Sequence, residues 1–259
     1  MAGIDIVRSE GATTSDTYAA PGHRTAGGLR SRPVSPPDFS LWLVRAELDD
    51  GATIEWPATH GDEAVFVVDG GLEVEGRLCP PKGAVIIEAD APATVKAVGP
   101  TRIVHVGPVD PAQPTGGING APEQHGHGVH VVGPRGTFAR VADGSDSHYY
   151  ADSSCPTCRI TLLHVGRTFG YDSAAHSHTE DELIHVISGE IILGRQVLGA
   201  GDTLAIDGNV RYKFRGGDDG FVFVNYRRDA SKQIFPGDRP ELLEGGLVNG
   251  LEPVMDLIG

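Results

Sequence analysis

Residues 170–189 read GYDSAAHSHTEDELIHVISG, and residues 51–70 read GATIEWPATHGDEAVFVVDG. Laid over one another without a gap, Gly51 and Gly70 stand over Gly170 and Gly189, and Glu63 stands over Glu182. Each block then passes through a short strand-like stretch to a second glycine turn, CPPKGAVIIEADAP in the first copy and LGAGDTLAIDGN in the second. An internal repeat means one structural unit used twice. Around these blocks lie SLWLVRAEL, RITLLHV, ELIHVISGEIIL and FVFVNY, short runs of Val, Ile, Leu and Phe bounded by Gly, Pro, Asp or Asn. Such runs read as strands. Only RPELLEGG, at 239–246, has a helix-like turn pattern. The expectation is an all-β chain of two units, residues 1–120 and 121–259. The segment joining them is rich in Pro, Gly and Asn and reads as irregular. The first 35 residues are polar and turn-rich, and either add a strand to the other unit or lie loose.

The chain has 259 residues, enough to bury a full core, and 36 glycines and 18 prolines suit short strands with many turns. A formal charge of −14 argues against nucleic acid or an anionic membrane as partner. No apolar run of about 18 residues is present, so no membrane-spanning helix is expected. MAGIDIVRSE lacks a basic start followed by an apolar run, so no signal peptide is expected. Three cysteines are too few for a disulfide scaffold. The reading is a cytoplasmic protein.

Chemistry concentrates at His176-Ser177-His178. On an extended strand, residues two apart face the same way, so both imidazoles address one interior point. Glu182 follows a short turn, and alternation puts Ile184 and Val186 on its face. A lone carboxylate against that apolar wall is unfavourable unless paired or metal-bound. Two imidazoles and one carboxylate form a ligand set that leaves positions open for substrate or dioxygen.

Gly170, five residues, His176-x-His178, three residues, Glu182, six residues, Gly189 resembles the first conserved motif of the cupin superfamily. Gly199-Ala200-Gly201-Asp202 is similar to the turn of the second motif, whose closing histidine falls here on Tyr212. The resemblance implies two tandem cupin-type jelly-roll β-barrels, a bicupin, with one divalent metal held by His176, His178 and Glu182. Val210, Tyr212 and Phe214 share a face. Tyr212 is then a ligand, a hydrogen-bond donor to substrate, or a plain structural tyrosine. In the first copy Pro57, Thr59 and Thr94 occupy the other ligand positions and only Glu63 survives, with His60 one residue out of register. That barrel is expected to have lost its metal.

Fe(II) is the first expectation for the metal, with Mn, Zn or Ni as alternatives. The leading functional expectation is an Fe(II) dioxygenase acting on a small organic substrate, with Tyr212 as the catalytic side chain. The rivals are a non-redox isomerase, lyase or decarboxylase, and a ligand- or metal-sensing protein without catalysis. A monomer or modest homo-oligomer is expected. Cys155-Pro-Thr-Cys158 reads as thiols or a local disulfide, and His125, His127 and His130 as a solvated linker cluster. His185 reads as a sheet-surface or interface residue and His164 as a satisfied core histidine. Arg159 reads as an anchor for an anionic substrate if it points inward, and as a surface charge if not.

Overall fold

In the computed structural model of the protein the described residues are 3–11, 13–112, 126, 128–142, 144–152, 155, 157–229, 231–237 and 252–253. The segment 239–246, with its helix-like pattern, lies outside them, as do His125 and His127. The described residues form strands, turns and one short 3-10 turn at Pro134–Gly136. None of their helices is long and apolar enough to cross a membrane.

The first half builds two sheets. One has six strands in the order Val129–Val132, Ala84–Ile87, Glu63–Asp69, Thr101–Pro108, Leu41–Leu48, Leu29–Pro33. The other has five short strands, Arg24–Ala26 through Arg77–Cys79. The second half curls around one nine-stranded sheet centred on Glu182–Leu193 and Arg215–Arg228. Register shifts at Val186/Ser188 and Gly189/Ile191 let that long pair turn the barrel corner. Gly70 and Gly189, aligned in the repeat, both have positive φ and no room for a Cβ. The repeat in sequence is therefore a repeat in backbone conformation.

Three cores explain the pattern of the strands. Trp42, Val44, Ala46 and Leu48 point into the first barrel, while Leu41 and Leu43 on the same strand point outward. Ile184 and Val186 line the second barrel, and Leu183 beside Ile184 points outward. The outward residues of both large sheets pack on each other with Phe66, Val104, Leu162, Val224 and Tyr226. Sheets buried on both faces need strands that are apolar throughout, which is why LWLV and FVFV show little polar alternation.

Each half also receives a strand from the part of the chain outside it. Ile4–Val7 pairs with Thr203–Ile206 of the second half, from Ile4↔Ile206 to Val7↔Thr203. Val129–Val132 pairs with Ala84–Ile87 of the first. Of the two readings left open for the N-terminal arm, the structure takes strand addition. Asp202 fixes the arm by accepting hydrogen bonds from the Ser9 backbone (2.7 Å), Arg8 Nη1 (3.0 Å) and the Gly199 backbone (3.1 Å). Ile6→Ala and Asp202→Ala are each expected to lower unfolding free energy by about 1–2 kcal/mol in urea titrations. Unchanged midpoints would mean that the arm is undocked in solution.

The linker strand is held by an ion pair between a half-exposed histidine and a buried glutamate. His130 Nε2 lies 3.0 Å from Glu88 Oε1, and the Gly128 backbone donates to Glu88 Oε2 at 2.7 Å. Burial alone would raise the Glu88 carboxyl, but His130, Thr157 and Gly128 outweigh it and hold it at about 2. Glu88 in turn raises His130 above the usual imidazole range. The Glu88 contribution is complete above the ordinary carboxylate range and is lost as pH falls through about 2. The His130 contribution is complete below the ordinary imidazole range and is lost as pH rises through its raised folded value. Stability from this pair should therefore be greatest between about pH 5 and 6.5. In urea titrations across pH, His130→Gln should remove the decline on the alkaline side and shrink the acid one to what Thr157 and the Gly128 backbone sustain.

Candidate functional site

The second barrel brings His176, His178, Glu182 and Tyr212 to one buried place. His176 and Tyr212 exchange backbone hydrogen bonds (3.0 and 2.9 Å), which sets their rings 4.6 Å apart. His178 lies on the short strand Ser177–His178, its ring 5.2 Å from that of His176. Glu182 opens its strand directly opposite Arg227. The Tyr212 hydroxyl donates to Glu182 Oε1, and Asn225 Nδ2 donates to Oε2 at 2.7 Å. Arg227 Nη1 lies 3.5 Å from Oε2 and 3.0 Å from His178 Nε2. His178 Nε2 and Glu182 Oε2 are 4.0 Å apart.

Electrostatics follow from burial. Burial, then Arg227 and His176, push His178 far below the usual imidazole range, so it stays neutral. Burial and the Glu182 charge push the Tyr212 hydroxyl well above its usual value. Tyr212 is thus a protonated donor to Glu182, not a phenolate. Arg227 supplies the countercharge that a buried carboxylate requires. The motif reading missed both Asn225 and Arg227. Their signal was present: in FVFVNYRR they alternate in step with Phe221 and Phe223, which line the barrel.

Several donors at this site are still available to a cation. His176 Nδ1 donates to the Ala174 carbonyl (2.8 Å), which leaves Nε2 as an acceptor. Asn225 Oδ1 is a buried acceptor without a hydrogen-bond partner among the described residues; Arg227 Nε, equally unpartnered, is an N–H and can serve only an anion. The donor chemistry fits a divalent ion, but like charges repel, so an ion here would displace the Arg227 guanidinium from His178 and Glu182.

The first barrel holds a second cluster that sequence reasoning did not find. Glu63 Oε2 accepts from Trp56 Nε1 (2.7 Å) and lies 2.9 Å from His105 Nε2. His23, on the arm, places Nε2 3.0 Å from the same oxygen, without hydrogen-bond geometry. The donor atoms of His23, Glu63 and His105 all lie within 4.8 Å of one another, as metal ligands must. Burial would raise the Glu63 carboxyl, but His105 and His23 hold it at about 2. Burial lowers His105 to about 4 against the pull of Glu63. His60 lies beside this cluster, 4.0 Å from Glu63 Oε1, and its ring nitrogens are within 2.7 and 3.0 Å of the Gly61 and Ala91 carbonyls. No local pattern marks His23 or His105, because they reach Glu63 from an arm and from a separate strand.

The remaining sequence signals fall elsewhere. Arg159 is buried and ion-paired to Asp229 (2.7 Å), so neither expected alternative describes it. His185 faces the seam between the sheets, as an interface residue. His164 is buried and stacked on Phe66, but its Nδ1 lacks a hydrogen-bond partner among the described residues, which corrects the expectation of a satisfied histidine. Cys155 and Cys158 form a disulfide beside Glu88. His130 belongs to a strand and an ion pair, not to a solvated linker.

No protein-family model and no curated protein matches the chain. Solved structures do. An oxalate decarboxylase of Lactobacillus farciminis in complex with formate superposes with a TM-score of 0.64 at 15% identity, over 87% of this chain and 86% of that one. A Bacillus subtilis oxalate decarboxylase, as a point mutant, gives 0.60 at 15%, over 84% and 77%. Another structure of the B. subtilis protein, described through its Mn(II) centres, gives 0.60 at 15%, over 80% and 75%. The fold is all-β, two tandem cupin-type barrels, as the motif implied. The dioxygenase expectation is corrected: these similar structures are decarboxylases, and none of them is a dioxygenase.

Removing Arg227 should expose how far Glu182 depends on it. Arg227→Leu is expected to destabilise the protein by about 3–5 kcal/mol in urea titrations, because it leaves a buried charge uncompensated. Adding Glu182→Gln should recover part of that loss; additive losses would show that the two side chains are uncoupled.

Proposed function

We propose that the protein is a metal-dependent cupin lyase, a bicupin that removes carbon dioxide from a small dicarboxylic acid, with oxalate as the simplest candidate. One observation carries this reading. Arg227, a buried guanidinium with an unpartnered Nε, stands beside the His176, His178 and Glu182 donors inside an apolar barrel. A planar guanidinium is the side chain best shaped to hold a carboxylate. The similarity to oxalate decarboxylases supports the same chemistry, and the Mn(II) centres of one of them favour Mn(II) over Fe(II) here.

In this reading His176, His178 and Glu182 would hold the divalent ion, which would supply Lewis acidity toward a substrate carboxylate. Arg227 turns to the substrate and fixes its second carboxylate. Tyr212 holds its proton at Glu182 Oε1. As the C–C bond breaks and its electron pair stays on the remaining carbon, that proton would pass to the carbon. Solvent would return one to the tyrosinate on product release, since burial and Glu182 disfavour the phenolate. Ile184, Val186, Phe214 and Phe223 surround the site and exclude water.

A second reading places the ion in the first barrel. His23 Nδ1 lies 2.9 Å from the Pro21 carbonyl and donates to it. Its Nε2 stands 3.0 Å from Glu63 Oε2 without a hydrogen bond to it, and with His105 these atoms are close enough to share one cation.

Elemental analysis separates the readings. About one equivalent of Mn lost in His176→Ala/His178→Ala, but kept in His23→Ala/His105→Ala, supports the second-barrel site. The reverse pattern supports the first. With the second-barrel site, Tyr212→Phe should keep its metal and lose roughly 10²-fold or more in carbon dioxide release from oxalate. Loaded protein that releases no carbon dioxide from any small dicarboxylate would overturn the lyase reading in favour of a sensing protein.

A further inference from the structure

Along the seam between the two large sheets, beyond the end of its apolar packing, lies a cavity of about 520 Å³. Its walls come from the outer face of the first sheet and from His185, Val186 and Ile187 of the second. Four arginines line it: Arg30, Arg32, Arg45 and Arg102. On a chain of formal charge −14 this concentration of positive charge is a strong local departure.

The arginines are not neutralised by the protein in the same way. At the rim, Arg30 pairs with Glu47 (2.9 Å) and Arg102 with Asp69 (3.4 Å), and all four of these side chains are exposed. Deeper in, Arg32 and Arg45 are direct cross-strand neighbours. Like charges placed directly opposite on adjacent strands destabilise a sheet. Among the described residues, Arg32 donates a hydrogen bond only to the Ser9 carbonyl, from Nη1 (3.0 Å). Arg45 is half-buried, its Nη1 beside Gly201 of the second half, and no described residue gives its side chain a hydrogen bond or an ion pair. Burial, Arg45 and Arg32 hold the neighbouring His185 at about 3, so it is neutral and adds a polar wall without charge. Its Nδ1 is engaged by Thr203 Oγ1 (2.8 Å).

We propose that this cavity binds a small organic anion carrying two or more negative charges on oxygen, a phosphate ester or a polycarboxylate, between Arg32 and Arg45. Its volume lies within the range of small-molecule pockets. The bound anion would bridge the seam, because both arginines belong to the first sheet and reach the second half, Arg45 beside Gly201 and Arg32 through the arm residue Ser9 that Asp202 holds. Binding would therefore favour the docked arrangement of the two halves.

The test uses the full chain and three probes: glucose 6-phosphate, citrate, and sodium chloride at matched ionic strength. The melting temperature should rise by roughly 5 °C or more at a hundredfold excess of the preferred anion over its Kd, and not with chloride. A response to glucose 6-phosphate alone identifies the phosphate ester; a response to citrate alone identifies the polycarboxylate. Arg45→Met should remove the shift while leaving the melting temperature without ligand unchanged or higher, since a like-charge contact has been relieved. A merely structural arginine would instead lower it. Arg30→Met, at the rim, should retain most of the shift. No anion-specific shift in the unmodified protein, or an undiminished shift in Arg45→Met, would overturn the proposal. So would a dimer that forms in proportion to protein concentration and is dispersed by Arg45→Met, since the cavity would then receive a second copy of the chain.

Discussion

Leu41, Leu43, Phe66 and Val104 of one sheet meet Leu162, Leu183, Val224 and Tyr226 of the other in a continuous apolar seam. Everything else in the molecule is arranged around that contact. Each central strand must be apolar on both faces, one serving its barrel and the other the seam. Most polar groups admitted there have partners, His164 Nδ1 against Phe66 being an exception among the described residues. Tyr226 donates its hydroxyl to the Asp62 carbonyl (2.9 Å), and the Asp62 carboxylate accepts from the backbones of Ala89 (2.6 Å) and Arg159. One aspartate thus ties both halves, at the point where the seam approaches the barrel interiors. The exchanged strands Ile4–Val7 and Val129–Val132 cover sheet edges that would otherwise be open for pairing with other chains.

Within this frame the two barrels solve one problem in different ways. Each opens its central strand with a buried glutamate, Glu63 or Glu182, and each must neutralise it. His105 faces Val65 as Asn225 faces Ile184, so neighbouring strands supply a partner in both. The remaining partners diverge. Glu182 has Tyr212 and Arg227, with two histidines nearby. Glu63 has Trp56 from its own block and His23 from the arm. A carboxylate that must be charged and buried is a demand that different side chains can meet, so the position persists while its surroundings change.

Much of the site was legible because its pattern is local. His176, Ser177 and His178 declare their faces through alternation, and Tyr212 declares its own through Val210 and Phe214. The same alternation, carried on to FVFVNYRR, would have placed Asn225 and Arg227 beside Glu182. His23 and His105 left no such trace. Their meeting with Glu63 depends on an arm that folds back over the barrel and on a strand about forty residues away, and neither sets up a period that a short window can show. Arg32 and Arg45 were equally silent, since each is an ordinary charge until cross-strand pairing sets one against the other.

By itself the sequence determined that the chain is all-β, that it repeats one unit, where the glycine turns fall, and which residues of the second unit share an interior face. These follow from the two-residue period of a strand and from backbone conformations open only to glycine, both of which act over a few residues. The tertiary structure decided which unit received each exchanged strand, which cation answered each buried carboxylate, and where unpaired arginines gathered. Those outcomes depend on contacts between residues up to about two hundred positions apart, and such contacts are selected by the packing of whole sheets rather than by any pattern along the chain.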